Sequence, residues 1–156
     1  MQADLLWPGG LTILLAYAAF SDIKWRRLPN WLSLTVLAYG FAWAFTQGGL
    51  PALGWHGAHA AIALAVGIAL FATGGFGGGD AKLYTGTAAC FALQQGVALL
   101  LWVSLTGLVT MLGWIILKRL PPFSSRKREG NFAKFPYGVA IALGGSGLAW
   151  AGPLTA

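Results

Sequence analysis

Only four of the 156 residues carry a carboxylate: Asp4, Asp22, Asp80 and Glu129. Asp22 and Asp80 each stand where a long apolar run meets a polar segment. A carboxylate at the edge of hydrocarbon is costly unless it is paired, wetted or neutralised, so in an apolar chain it marks function by default. Two carboxylates within hydrogen-bonding distance cannot both ionise cheaply, and they share a proton. The ionised one can take a proton from a water attacking a peptide carbonyl. The protonated one can donate to that carbonyl or to the leaving amine. Such a dyad would titrate as a pair. The question for the rest of the chain is what brings residues 58 positions apart to one place.

Hydrophobic residues make up 57% of the chain and charged residues 9%. A soluble domain carries about a quarter charged residues, so the expected solvent is a lipid bilayer. The fold class is all-α, a polytopic membrane protein forming one membrane-embedded domain over residues 1–156, with no separate soluble domain. No Lys or Arg precedes the first apolar run and Asp4 does, which does not fit a cleaved signal peptide. The formal charge of +6 comes from basic residues clustered in short loops, a pattern set by membrane topology, so nucleic acid is not an expected partner. Cys90 is the only cysteine; it allows no intramolecular disulfide and no cysteine zinc cluster, and reads as a small packing residue. No metal or other cofactor is expected.

A helix crosses the hydrocarbon core with about 20 apolar residues, roughly 17 to 25. The first expected span runs from about Leu5 to Phe20. The polar stretch Ser21 to Asn30 follows, with a turn imposed because Pro29 disfavours helix at Leu28. A second span covers Trp31 to Thr46 and is broken by Gly48-Gly49-Leu50-Pro51. A third covers Ala58 to Thr73 and ends in a glycine-rich stretch leading to Asp80. Ala81 to Leu93 is a short fourth helix, about 20 Å long at 1.5 Å per residue. It can span only if one end is submerged or the bilayer thins. Gln94-Gln95-Gly96 reverses the chain before a fifth span, Val97 to Leu117. A basic loop over Lys118 to Lys134 and a last span, Phe135 to Trp150, complete about six helices.

Six alternating spans put all ten Lys and Arg on one side: Lys24, Arg26 and Arg27 after the first, Lys82 after the third, six more after the fifth. The positive-inside rule makes that side cytoplasmic. Both termini, His56, His59 and the glutamine turn then lie outside, while Asp22 and Asp80 share the cytoplasmic face. Merging Ala81 to Leu117 into one span would split the basic clusters between two sides, which argues against five spans.

Gly77, Gly78 and Gly79 precede Asp80 directly, and a glycine loop can take positive φ and admit an extended peptide. A plainer reading exists for each acid. Asp80 is a favoured helix-capping residue, and Asp22 can be a surface charge compensated by Lys24 and Arg26. Their common side and depth favour the dyad. No Ser-His-Asp set, metal-ligand cluster or phosphate loop competes with it.

Three stretches also resemble a known family. Ser21-Asp22-Ile-Lys-Trp-Arg-Arg-Leu-Pro29-Asn30 is similar to the first aspartate motif of the type IV prepilin peptidases, and Gly77-Gly78-Gly79-Asp80-Ala-Lys82-Leu83 to their GxGD motif. Phe135-Pro136-Tyr137-Gly138 resembles the Pro-Tyr-Gly stretch that opens their last helix. The resemblance implies a membrane aspartic endopeptidase that removes the basic leader of prepilins or pseudopilins at the cytoplasmic face of a bacterial inner membrane. Cleavage there follows a glycine and precedes an apolar helix. It implies Asp22 and Asp80 as the catalytic pair, Gly77 and Gly79 as shaping the loop, and Lys82, Pro29, Asn30, Pro136 and Tyr137 as supporting matches. From the residue type alone, Lys82 is a side chain that snorkels to the surface. Long family members carry a cysteine-bearing cytoplasmic insertion and methylate the new N-terminus. This chain has a single cysteine and no such insertion, so methylation is not expected and it resembles the peptidase-only form.

Two other classes fit some of these features. A proton- or cation-coupled transporter would use the two acids as carriers, but both lie at one face and no internal repeat is visible. A structural membrane subunit would use the glycines only for close helix packing.

Overall fold

The computed structural model describes residues 2–74, 76–119 and 136–152, and among them every regular element is helical. Five helices follow in order: α1 Gln2–Trp25, α2 Asn30–Ala72, α3 Gly78–Ala88, α4 Gly96–Arg119 and α5 Tyr137–Ala151, with a 3₁₀ turn at Leu93–Gln95.

Helix α1 runs five residues beyond Phe20, so Asp22 lies in its last turns and not in the polar connection expected to hold it. The stop comes at Arg26, whose φ of 53° is left-handed. A helix commonly ends with one residue in this conformation. The Arg26 N–H still donates to the Asp22 carbonyl at 3.0 Å, and the Ser21 hydroxyl donates to the Arg27 carbonyl at 2.7 Å. These two bonds satisfy groups that a helix end leaves orphaned. Pro29, extended at φ −66° and ψ 140°, then leads into α2.

The break expected between the second and third spans falls at Gly48 and Gly49, inside the 43 residues of α2. Gly49 has φ 60° and ψ −144°, a conformation in effect reserved for glycine. Helix resumes at once, eight residues before Ala58, because Pro51 is tolerated in a first turn.

Helix α3 starts three residues earlier than expected and ends five earlier. Its early end has a distant cause. The ring Nδ1 of His56 donates to the Ala89 carbonyl at 2.8 Å, and that of His59 to the Phe91 carbonyl at 2.9 Å. Both come from the second half of α2 and let a buried backbone leave the helix without losing partners.

Small residues set how the helices meet. A Cβ on Gly86 of α3 would lie 2.7 Å from the Ser33 carbonyl of α2, and one on Gly40 of α2 would lie 2.6 Å from the Ala89 backbone. Gly67, in the other half of α2, meets Ala81. Helix α3 therefore sits between the two halves of α2. Its own residues are small and buried on nearly every side: Ala81, Leu83, Thr85, Gly86, Thr87 and Ala88. The Thr85 and Thr87 hydroxyls are satisfied by carbonyls one turn back. Helix α5 closes the bundle with three more glycines. Gly144 and Gly147 press on Val103 and Trp102 of α4, and Gly145 on Thr87 and Leu15. Close backbone approach through glycine is how helices pack where no hydrophobic force drives them together. Cys90 is buried and contributes to the core, as its residue type led one to expect.

Among the described residues, three helices are long and apolar enough to cross a membrane: α1 from Leu5, α2, and the segment Leu93–Ile116, which covers most of α4. Helix α5 is apolar but shorter, and α3 has only eleven residues, so length alone does not give the six spans expected. Outward-facing Leu101, Leu105, Leu108, Val109 and Leu112 make one side of α4 an apolar surface of a kind that water-facing proteins rarely show. Of the basic loop expected over Lys118 to Lys134, Lys118 and Arg119 finish α4, and residues 120–135 lie outside the described residues.

Candidate active site

Contacts between helices place five helix ends together. Gly138 at the start of α5 touches Asp22 near the end of α1. Lys82 at the start of α3 reaches Asn30 at the start of α2. The Arg26 guanidinium stacks 5.1 Å from the ring centre of Trp114, near the end of α4. The residues singled out from the sequence thus lie at one end of the bundle, and His56 and His59 are at the other.

Asp22 is buried, only 8% exposed. Its Oδ2 accepts a hydrogen bond of 2.9 Å from the Gly138 backbone N–H. Gly138 fits because it lacks a side chain: a Cβ there would lie 2.8 Å from the same Oδ2 and 3.1 Å from Cγ. The charge of Arg26 also acts on Asp22. Lys24, the other cation expected to compensate it, lies over the rings of Phe20 and Trp25 instead.

Asp80 is half-buried in the first turn of α3. Gly77 is the N-cap, and Asp80, at the third helical position, takes a hydrogen bond from the Gly77 backbone. This is the return half of a capping box, in which the third helical residue satisfies the N-cap N–H. Asp80 therefore caps its helix from within instead of standing at the cap. The negative charge of Asp22 acts on Asp80 across the gap between α1 and α3. The structure thus brings the two carboxylates within electrostatic reach of one another.

The glycines do not behave as the sequence suggested. Positive φ among the described glycines occurs at Gly49, Gly74 and Gly152. Gly77 is extended, at φ −76° and ψ 140°, and Gly78 and Gly79 are already helical. What they supply is space. A Cβ on Gly77 would collide with Asp80 Oδ2, and those on Gly78 and Gly79 would press on Phe71 and Leu28.

Four of the five supporting residues fall into two pairs, and Pro29 stands apart. Lys82 Nζ donates to Asn30 Oδ1 at 2.9 Å, so this lysine is exposed, as a snorkelling residue would be, but also ties α3 to α2. Pro136 precedes α5, and Tyr137 opens it with its ring edge-on to Phe76 at 5.6 Å. Pro29 sets the start of α2. Two neighbours of the acids were not singled out from sequence, Gly138 and Phe76; Arg26 was expected beside Asp22, but its left-handed backbone was not. Gly138 was visible only as part of the Pro-Tyr-Gly string. Among the described residues, no three His, Cys, Asp or Glu side chains gather as a metal site would require.

The fold and site define a bundle of apolar helices that carries two carboxylates within electrostatic reach of one another at one end. A model of the type IV leader peptidase family matches residues 10–112, about two thirds of the chain. The chain belongs to that family. The match includes Asp22, Asp80 and the glycines and stops short of Pro136 and Tyr137. No curated protein and no solved structure matches the chain.

Proposed function

We propose that this protein is an aspartic endopeptidase that removes the N-terminal leader of type IV prepilins or pseudopilins at the cytoplasmic face of a bacterial inner membrane. The observation that supports the reading is that α1 and α3 place Asp22 and Asp80 within electrostatic reach of one another, in a member of a leader peptidase family. One carboxylate, ionised, accepts a proton from the attacking water. The other, protonated, polarises the scissile carbonyl and then gives its proton to the amine nitrogen as the C–N bond breaks. The dyad titrates as a unit. Gly138 and Gly77 hold the two carboxylates through backbone N–H groups and leave them room. No N-methyltransferase activity accompanies cleavage, since the cysteine-bearing insertion of the longer family members has no counterpart in the sequence.

The proposed arrangement has six membrane-embedded helices. At 1.5 Å per residue, α2 with its 43 residues is about twice the thickness of a bilayer core of roughly 30 Å, and its break at Gly48–Gly49 divides it into two crossings. Helix α3 is submerged within the bundle. The end bearing Lys24, Arg26, Arg27, Lys82, Lys118 and Arg119 faces the cytoplasm, and both termini face the other side.

Asp22→Asn and Asp80→Asn, each at normal membrane abundance, are expected to lower leader cleavage by at least about 10²-fold, the scale of general acid–base help. The measurement is the mass loss of a purified prepilin incubated with each variant. Near-normal cleavage by either one would remove that residue from the mechanism.

A further inference from the structure

Each carboxylate takes a backbone N–H from the start of a helix. Gly138, the second residue of α5, donates to Asp22 Oδ2 at 2.9 Å. Gly77, the N-cap of α3, donates to Asp80. In both cases an aromatic residue comes directly before the donor: Tyr137 before Gly138, and Phe76 before Gly77. The atoms of a peptide unit, from one Cα to the next, lie in one stiff plane. Each donor N–H therefore moves with the Cα of the aromatic residue that precedes it. The two rings meet edge-on, with centroids 5.6 Å apart and planes at 61°. The contacts close a circuit: Asp22, Gly138, Tyr137, Phe76, Gly77 and Asp80, whose carboxylate feels the charge of Asp22.

This ring contact is well placed to fix a distance. Further along α3 and α5, Gly145 packs on Thr87 so closely that a Cβ would lie 2.7 Å from Thr87 Cγ2. That contact fixes the two helices near the end of α3. The Phe76–Tyr137 contact fixes them at their starts, where the carboxylates are. Phe76, in the connection between α2 and α3, packs against the hydrophobic core, whereas Tyr137 is 40% exposed. The exposed ring thus leans on one that the core already holds. An edge-on pair has a preferred separation, about 4.5–7 Å between centroids, because the positive edge of one ring faces the negative face of the other.

We infer that the Phe76–Tyr137 contact sets the separation of the two carboxylates, which makes both aromatic residues positioning residues of the dyad. The inference rests on the peptidase reading above. Asp80 rides on α3, and Asp22, although carried by α1, is tied through its donor to α5. The gap between the carboxylates therefore follows the gap between the starts of α3 and α5. One carboxylate must hold the attacking water while the other reaches the carbonyl oxygen, so that gap decides whether a shared proton can be used.

Removing either ring tests this, with full-length enzyme in lipid nanodiscs and a purified prepilin. Phe76→Leu and Tyr137→Leu are each expected to lower kcat by about 10–100-fold, as a misplacement approaching about 1 Å would. KM is expected to change by less than about threefold, since transition-state contacts and not uniform binding are lost. The double variant should fall no further than the worse single one, because all three lose the same contact. Tyr137→Phe keeps the ring and is expected to restore kcat. Phe20→Leu breaks an edge-on pair with Trp25 that lies wholly within α1, and should leave kcat unchanged. Three results overturn the proposal: losses that multiply in the double variant, a loss in Tyr137→Phe as deep as in Tyr137→Leu, or a raised KM at unchanged kcat. The rings would then act separately, through the hydroxyl, or on the substrate. Unfolding is followed on the same preparations; should Phe76→Leu prove unstable, Tyr137→Leu, exposed and at a helix start, decides alone. Full kcat in both single variants with Asp80→Asn inactive removes the positioning role and leaves the peptidase standing. Cleavage retained by Asp80→Asn removes the peptidase reading itself.

Discussion

At the scale of single residues, the glycines beside the two acids matter for what they lack. Gly77 has φ and ψ that any L-residue adopts, so replacing it causes no backbone strain. A Cβ there would nevertheless strike Asp80 Oδ2, and one on Gly138 would strike Asp22 Oδ2 and Cγ. Gly77→Ala and Gly138→Ala should therefore displace the carboxylates while leaving the helices intact. A misplacement of about 1 Å can cost about 10²-fold in rate. Cleavage by either variant is expected to fall by about 10–100-fold at unchanged abundance, measured as kcat/KM on a prepilin. Full activity would show that the carboxylates reorient freely and that these contacts are incidental. The aspartates themselves stand out in the sequence because a carboxylate in so apolar a chain is an anomaly, and the structure places them within electrostatic reach of one another. Gly138 does not stand out, because it is one of 23 glycines and its meaning depends on a residue 116 positions away.

At the scale of elements, α3 is the piece whose position decides the site, since it carries Asp80 and is held between the halves of α2. Its docking depends on absent side chains. On Gly86 a Cβ would lie 2.7 Å from the Ser33 carbonyl, a backbone atom that cannot swing aside. Gly86→Leu should therefore cost about 1–3 kcal/mol through overpacking. Gly57→Ala in α2, with nothing within 4 Å of its Cβ, should cost nothing. Unfolding of the two variants in detergent measures the difference, and equal stability would mean that α3 is not clamped as described. The existence and order of the helices could be read from sequence, because apolar length and Gly-Pro breaks are local signals. Their ends could not. The end of α3 is set by His56 and His59, 33 and 32 residues distant from the carbonyls they hold, and α1 outlasts its apolar run because Ser21, Arg26 and Gly138 accommodate its last turns. Likewise, the glycines before Asp80 suggested a loop from composition alone, whereas packing against Phe71 and Leu28 accepts Gly78 and Gly79 as helix.

At the scale of the whole molecule, the bundle has two unlike ends. One collects Asp22, Asp80, Lys24, Arg26, Arg27 and Lys82; the other holds the Gly48–Gly49 break, both histidines and the 3₁₀ turn at Leu93–Gln95. A difference in Lys and Arg between ends orients a membrane protein, and the effect is strongest in short connections near the helix ends. If the bundle spans a bilayer in the proposed way, Arg27, in the connection just before α2, and Gln47, at the far end of the first half of α2, both exposed, must face opposite compartments. Arg27→Cys and Gln47→Cys, each with the buried Cys90 changed to Ala, make this measurable with a membrane-impermeant maleimide. Position 47 should react in intact cells once the outer membrane is permeabilised, and position 27 only after the inner membrane is opened. Both variants keep most of the basic residues at one end, so orientation should survive the substitution. Labelling of both positions from the same side would mean that the first half of α2 does not cross. The dyad would then have to reach its substrate from a different compartment than the basic end of the bundle implies.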